Sequence, residues 1–140
     1  MSFPGVISKN PTKYFWPLSI LLPAARTAGG NGTAVDRYRN GGYAALTLMV
    51  VPGAWTDGTH GFTIEESDTS STTGFTTVAA ADLLGSFSNI TSSGTAVIQR
   101  VDYIGRARWV RVNNTASGTT TGAVFGVTGL LFAPAIFPAA

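Results

Sequence analysis

Glycine and proline interrupt every long stretch of this chain, with 17 glycines and 7 prolines among 140 residues. In a helix interior glycine costs about 1 kcal/mol and proline about 3 kcal/mol relative to alanine, so hardly any helix can form. The segments left between the breaks carry strand patterns. Residues 43–51 (YAALTLMVV) are nearly continuously apolar, as expected for a strand buried on both faces, and Pro52-Gly53 is expected to stop it. Residues 60–68 (HGFTIEESD) alternate, with Phe62 and Ile64 on one side and Thr63 and Glu65 on the other. Residues 95–104 alternate through Val97, Val101 and Tyr103, and residues 107–113 (ARWVRVN) turn Val110 and Val112 inward. A short strand is expected at 75–78, a single helical turn at 79–84, and a closing strand at 123–132. Polar Gly/Ser/Thr/Asp loops join these runs, among them the Asp57-Gly58 turn and residues 68–74 and 114–122.

Many short strands at close spacing indicate an all-β fold. The expectation is a single-domain antiparallel β-sandwich, jelly-roll-like, with extended N- and C-terminal arms. The domain is expected over 18–132, with an N-terminal arm at 1–17 and an apolar C-terminal tail at 133–140.

The arms matter because the chain is poor in charge. Only 11% of residues are charged against 44% hydrophobic, where soluble domains average roughly 25% charged. Part of this surface is therefore expected to be covered. An arm that is merely solvated should be polar, yet these carry Phe3, Tyr14, Phe15, Trp16, Ile136 and Phe137. They are the candidate partner-interface residues, packing on the domain's own sheets or on a neighbour. Burial of one such aromatic contributes roughly 1.5–3 kcal/mol.

The same composition narrows the function. A net charge of +2 without a Lys/Arg run argues against a nucleic-acid partner. Pro17 and Pro23 interrupt the signal-like stretch near the N-terminus. Gly126, Gly129, Pro134 and Pro138 argue against a membrane span in the uncharged C-terminal region.

With no cysteine and one histidine, thiolate chemistry and zinc have no ligands to use. His60 lies beside the Asp57-Gly58 turn and reads as a solvated loop residue, since no G-x-S-x-G elbow accompanies it. Glu65, Glu66 and Asp68 form the densest acidic group, but neighbours on a strand face opposite sides and no calcium-loop spacing appears. The glycine-rich 28–33 lacks a P-loop lysine. No catalytic residue, cofactor or metal is therefore expected. Arg100, Arg106, Arg108 and Arg111 suggest either ordinary surface charge or a patch for an acidic protein surface, with Asp102 pairing one arginine and Trp109 stacking on another.

Three stretches carry a family resemblance: Leu21-Leu22-Pro23-Ala24-Ala25-Arg26-Thr27, then residues 55–67 (WTDGTHGFTIEES), then Tyr103-Ile104-Gly105 with Trp109-Val110-Arg111-Val112. Together they resemble capsid cement, or decoration, proteins of tailed bacteriophages. The resemblance implies a jelly-roll-like sandwich on the outer surface of an icosahedral head, as a structural virion protein. Its partners would be the major capsid protein and a second copy of itself in a homodimer, with neither nucleic acid nor membrane involved. Aromatic-Val-Arg-Val strands also occur in carbohydrate-binding sandwiches, so the alternative is a carbohydrate-binding or tail-associated adhesion domain. Its stacking platform would be Trp55, Trp109 and Tyr103.

Overall fold

The computed structural model describes residues 15–134. Ten strands form two antiparallel sheets. The first sheet has the order β1-β10-β4-β8-β7, from β1 (Phe15–Arg26), β4 (Tyr43–Trp55), β7 (Leu83–Leu84), β8 (Gln99–Tyr103) and β10 (Ala123–Pro134). The second has the order β2-β9-β5-β6, from β2 (Gly30–Asn31), β5 (Thr59–Ser67), β6 (Thr76–Thr77) and β9 (Trp109–Ser117), with β3 (Val35–Asp36) also pairing β9.

The pairings are nested. β1 pairs β10, β2 pairs β9, β4 pairs β8 and β5 pairs β6. A hairpin rolled up in this way is a jelly roll, so the domain is an all-β, antiparallel jelly-roll sandwich. Alternation builds its core. Leu46, Leu48 and Val50 of β4 and Val101 and Tyr103 of β8 face Ile64, Val110 and Val112 across the gap, with Phe125, Val127 and Leu131 of β10 completing the layer.

The structure departs from the expected strand limits in physically explicable places. β4 continues through Pro52 and Gly53 to Trp55. Its partner β8 ends opposite Val50, so beyond that point β4 has an open edge, where a missing N–H breaks no ladder bond. The region 79–84 forms a 3-10 turn at Ala80–Asp82 followed by β7, not an α-helical turn. Val97 is exposed and Gln99 begins the strand, so the inward alternation of β8 covers only Val101 and Tyr103.

β1 is a twelve-residue strand where an arm and a signal-like stretch stood in the sequence. It is an edge strand, the setting in which prolines are tolerated, and it carries Pro17 and Pro23. Its register shifts twice, between Ser19 and Leu21 and between Leu21 and Ala24. There Pro23 crowds the backbone of Gly126, where a Cβ would lie only 2.9 Å from the proline ring. Phe15, Trp16 and Pro17 thus belong to the sheet, and β10 runs on to Pro134. Phe3, Tyr14, Ile136 and Phe137 lie outside the described residues.

His60 is fully buried, not solvated. It shares the inward phase of Phe62 and Ile64, packs edge-on against Phe125 with ring centroids 5.5 Å apart, and its Nε2 lies 3.2 Å from the Asp57 carbonyl. This is the position of a core histidine.

Candidate protein-docking face

The two sheets present unlike outer faces. On the second sheet the outward residues of β5 and β9 are polar apart from Trp109, which Arg108 covers. Glu65 accepts from Arg111 Nε at 2.7 Å, Thr63 lies opposite Asn113, and Asn113 donates to Asn31 at 2.5 Å. Such a face is satisfied by water.

On the first sheet the outward residues are mostly apolar. One row across all five strands reads Pro17, Leu130, Thr47, Asp102, Leu84. A neighbouring row reads Phe15, Phe132, Ala45, with the two phenyl rings 6.5 Å apart. The row on the other side reads Ser19, Thr128, Met49, Arg100, and Val51 lies opposite Gly126 beyond it. Leu84 is 57% exposed. Ile98 and Ile104, just before and after β8 and in step with Arg100 and Asp102, are 68% and 44% exposed.

Charge on this face is neutralised internally. Arg100 donates to both Asp102 oxygens, from Nε at 3.0 Å and Nη2 at 2.9 Å, and Thr47 Oγ1 donates to Asp102 at 2.7 Å. The Arg100 guanidinium holds the Asp102 carboxyl below its ordinary range. The centre of the face is closely packed, with Ala45 9% and Thr47 6% exposed, and the exposed apolar side chains Phe15, Val51, Leu84, Ile98 and Ile104 lie around it. An apolar patch of this kind makes the face a candidate interaction surface.

Its size can be bounded. Five strands about 4.8 Å apart span four gaps, a width of about 19 Å, and the six steps from Ala45 to Val51 give about 20 Å of length. The face is therefore at most about 400 Å², since β7 and β8 are shorter than β4, below the roughly 800 Å² per partner of a standard interface. A stable complex has to use adjoining surface as well. Because Phe15 lies opposite Phe132, both ends of the described chain leave the sheet at the same end of this face.

That end carries a distinct corner. Arg39 lies over the Trp16 ring at 4.4 Å, and Tyr38, 53% exposed, directs its hydroxyl at the Arg106 carbonyl at 3.4 Å. Arg108 lies over both Tyr38 and Trp109 while holding Asp36 at 3.0 Å. Arg37 is buried beneath, over the Tyr103 ring at 5.0 Å, and donates to the carbonyls of Ala107, Tyr43 and Ala44. Of the partner-interface candidates within the described residues, Phe15 belongs to the apolar face and Trp16 to this corner. Met49, Leu130 and Phe132 were not singled out from sequence, since a strand buried on both sides by its pattern shows no preference for an outer face.

The aromatic platform of the carbohydrate-binding alternative does not form. Tyr103 is fully buried. Trp109 pairs with Asp36 beside the Tyr43 end of the sandwich, whereas Trp55 ends β4 at the other end. The acidic residues do not converge either: Glu65 faces out to Arg111, while Glu66 turns in to accept from the Tyr103 hydroxyl. Among the described residues no group of three or more His, Asp or Glu side chains could hold a metal ion, and no helix is long and apolar enough to cross a membrane.

No protein-family profile and no curated protein sequence matches the chain. Among solved structures, the chain is similar to one holding the CBM22-1 and GH10 modules of Clostridium thermocellum xylanase 10B, complexed with xylohexaose. The identity is 11% and the TM-score 0.37, over 91% of this chain and 30% of that one.

Proposed function

We propose that this chain is a non-enzymatic structural protein that docks the outer face of its first sheet onto other protein subunits. In the fuller form of this reading it is a cement protein on the outside of an icosahedral phage head. It would bridge major capsid proteins and act as a dimer. The observation that supports it is the apolar, internally neutralised outer face of the first sheet, set against a polar face on the second. Many equivalent sites on a head would make individually weak contacts strong through avidity.

The test is re-addition of purified protein to heads stripped of it. Met49→Lys combined with Leu130→Lys places two unpaired charges on the face. Thr63→Lys places one on the outer face of the other sheet. The expected outcome is lost occupancy for the double variant and wild-type occupancy for Thr63→Lys, with melting temperatures close to wild type. Equal occupancy of all three proteins overturns the proposal. Removal of residues 1–14, which leaves β1 whole, asks separately whether that segment adds to the contact.

A further inference from the structure

We infer that the corner formed by Trp16, Tyr38, Arg39 and Arg106 is a second docking surface, one that takes carboxylates from an acidic segment of a partner protein. The charge balance supports it. The described residues hold seven arginines and seven carboxylates, so their formal charges cancel, but not evenly in space. Arg100, Arg108 and Arg111 each have a carboxylate partner. Arg39 and Arg106 make no ion pair within the described residues; Arg39 follows the exposed Tyr38 in the chain, and the backbone carbonyl of the exposed Arg106 accepts from the Tyr38 hydroxyl. Buried Arg37, bonded only to carbonyls, adds a third positive charge behind them.

Of the acids nearby, Glu66 holds the Tyr103 hydroxyl beneath Arg37, and Asp82, whose carbonyl accepts the Ile104 N–H, makes no ion pair within the described residues. Asp36 is held by Arg108, and Asp68 accepts from the Arg108 backbone N–H at 3.0 Å. At the surface Arg39 and Arg106 are thus left without a bonded carboxylate, and the guanidinium of Arg39 is already oriented by the Trp16 ring beneath it. Its Nε is buried, so a partner's carboxylate would be met by the two terminal nitrogens. A stacked arginine loses less side-chain freedom on binding a carboxylate than a free one, which favours a planar two-oxygen acceptor over a diffuse negative field. Trp16 and Tyr38 add apolar surface beside the charges, as protein-binding patches do. The occupant that fits is a short Glu- or Asp-bearing stretch of polypeptide.

The experiment uses the full chain and a capped hexaglutamate peptide, with capped hexaglutamine as control, read by tryptophan fluorescence and by NMR shifts of the arginine side chains. Hexaglutamate is expected to shift the Arg39 and Arg106 signals, hexaglutamine to leave them unmoved, and added salt to weaken the effect. Arg39→Gln with Arg106→Gln is expected to weaken binding about fivefold or more, from two exposed pairs. Arg26→Gln, at the far end of β1, is expected to change nothing.

Met49→Lys with Leu130→Lys is expected to leave peptide binding intact, which separates this surface from the sheet face. Unmoved arginine signals, or equal affinity of the double arginine variant, overturns the inference. Tighter binding of an oligothymidylate than of hexaglutamate at the same residues overturns it in favour of a phosphate site.

Discussion

Changing Tyr103 to Phe removes one oxygen atom from the middle of the sandwich, and the structure lets the cost be worked out. The hydroxyl donates to Glu66 Oε2 from β5 and accepts the Ala107 N–H at 3.0 Å. It therefore joins the first sheet to the second and also pins the chain where it turns from β8 toward β9. Burial first, and the Glu66 carboxylate second, push the hydroxyl above its ordinary range, so it stays protonated and donating well into alkaline solution. Tyr103→Phe keeps the ring under Arg37 but leaves the buried Ala107 N–H without an acceptor. Leaving such a donor unpaired costs about 1–3 kcal/mol. Glu66 is only half-buried and can turn to water, so its lost bond adds roughly 0.5–1 kcal/mol. The expected loss is about 2–3 kcal/mol in urea unfolding at neutral pH, or roughly 6–10 °C in melting temperature for a domain of this size. Glu66→Gln is expected to cost less, because its amide oxygen can still accept. A double-mutant cycle of the two should show about 1 kcal/mol of coupling. A Tyr103→Phe loss under about 0.5 kcal/mol, or no coupling, would refute the claim that this hydroxyl ties the sheets together.

Two further perturbations probe the far end of the sandwich. The Asp57 carboxylate accepts the N–H groups of Thr121, Gly122 and Thr120 at 2.6–3.1 Å, and these bonds hold its pKa below the ordinary value. A lowered folded-state pKa means the stabilisation is full above the unfolded value near 4 and disappears as pH falls through the folded value. Asp57→Asn should therefore melt lower than wild type at neutral pH and should lose part of the wild-type acid sensitivity below about pH 4; parallel melting-versus-pH curves would contradict this. Gly122 sits at φ +83°, and a Cβ there would lie 1.9 Å from the Arg26 carbonyl oxygen on β1. Gly122→Ala is expected to cost more than about 3 kcal/mol, seen as low soluble yield and a collapsed denaturation midpoint, because both the left-handed backbone and the backbone contact oppose it. A near-native midpoint would show that β1 can move away at little cost.

The sequence makes the strand content legible because period-two alternation survives in β5 and β9, and because glycine and proline exclude helices. Alternation also contained information that a loop-based reading of His60 passes over. The phase that turns Phe62 and Ile64 inward turns His60 inward too, and the same phase places Glu66 toward the core, where it needs a donor. β1 is obscured for a different reason. Pro17 and Pro23 are the usual marks of a chain break, and only the tertiary arrangement, in which this strand lies at an edge, makes them harmless. The apolar outer face of the first sheet is hidden by its own composition. In residues 43–51 both phases are apolar, so sequence cannot say that Leu46, Leu48 and Val50 meet the other sheet while Thr47, Met49 and Val51 look outward. The arginine–aromatic corner draws on residues 16, 38–39 and 106–109, which no local pattern could bring together.

The edges of the sheets bear on how an apolar face of this kind can be used. Four of the five edge strands, β2, β3, β6 and β7, are two residues long, and the fifth, β1, is shifted twice in register and carries two prolines. Each device blunts strand addition, the route by which exposed sheets aggregate. A sandwich whose only concern was solubility would also place charges on the outer face of its first sheet, as it does with Glu65 and Arg111 on the second. Instead the one acidic residue on the face, Asp102, is neutralised there by Arg100 and bonded by the Thr47 hydroxyl, and most other outward residues are apolar. Short and irregular edges beside an apolar face mean that, on the proposed reading, this sheet would meet another protein face to face rather than by strand addition.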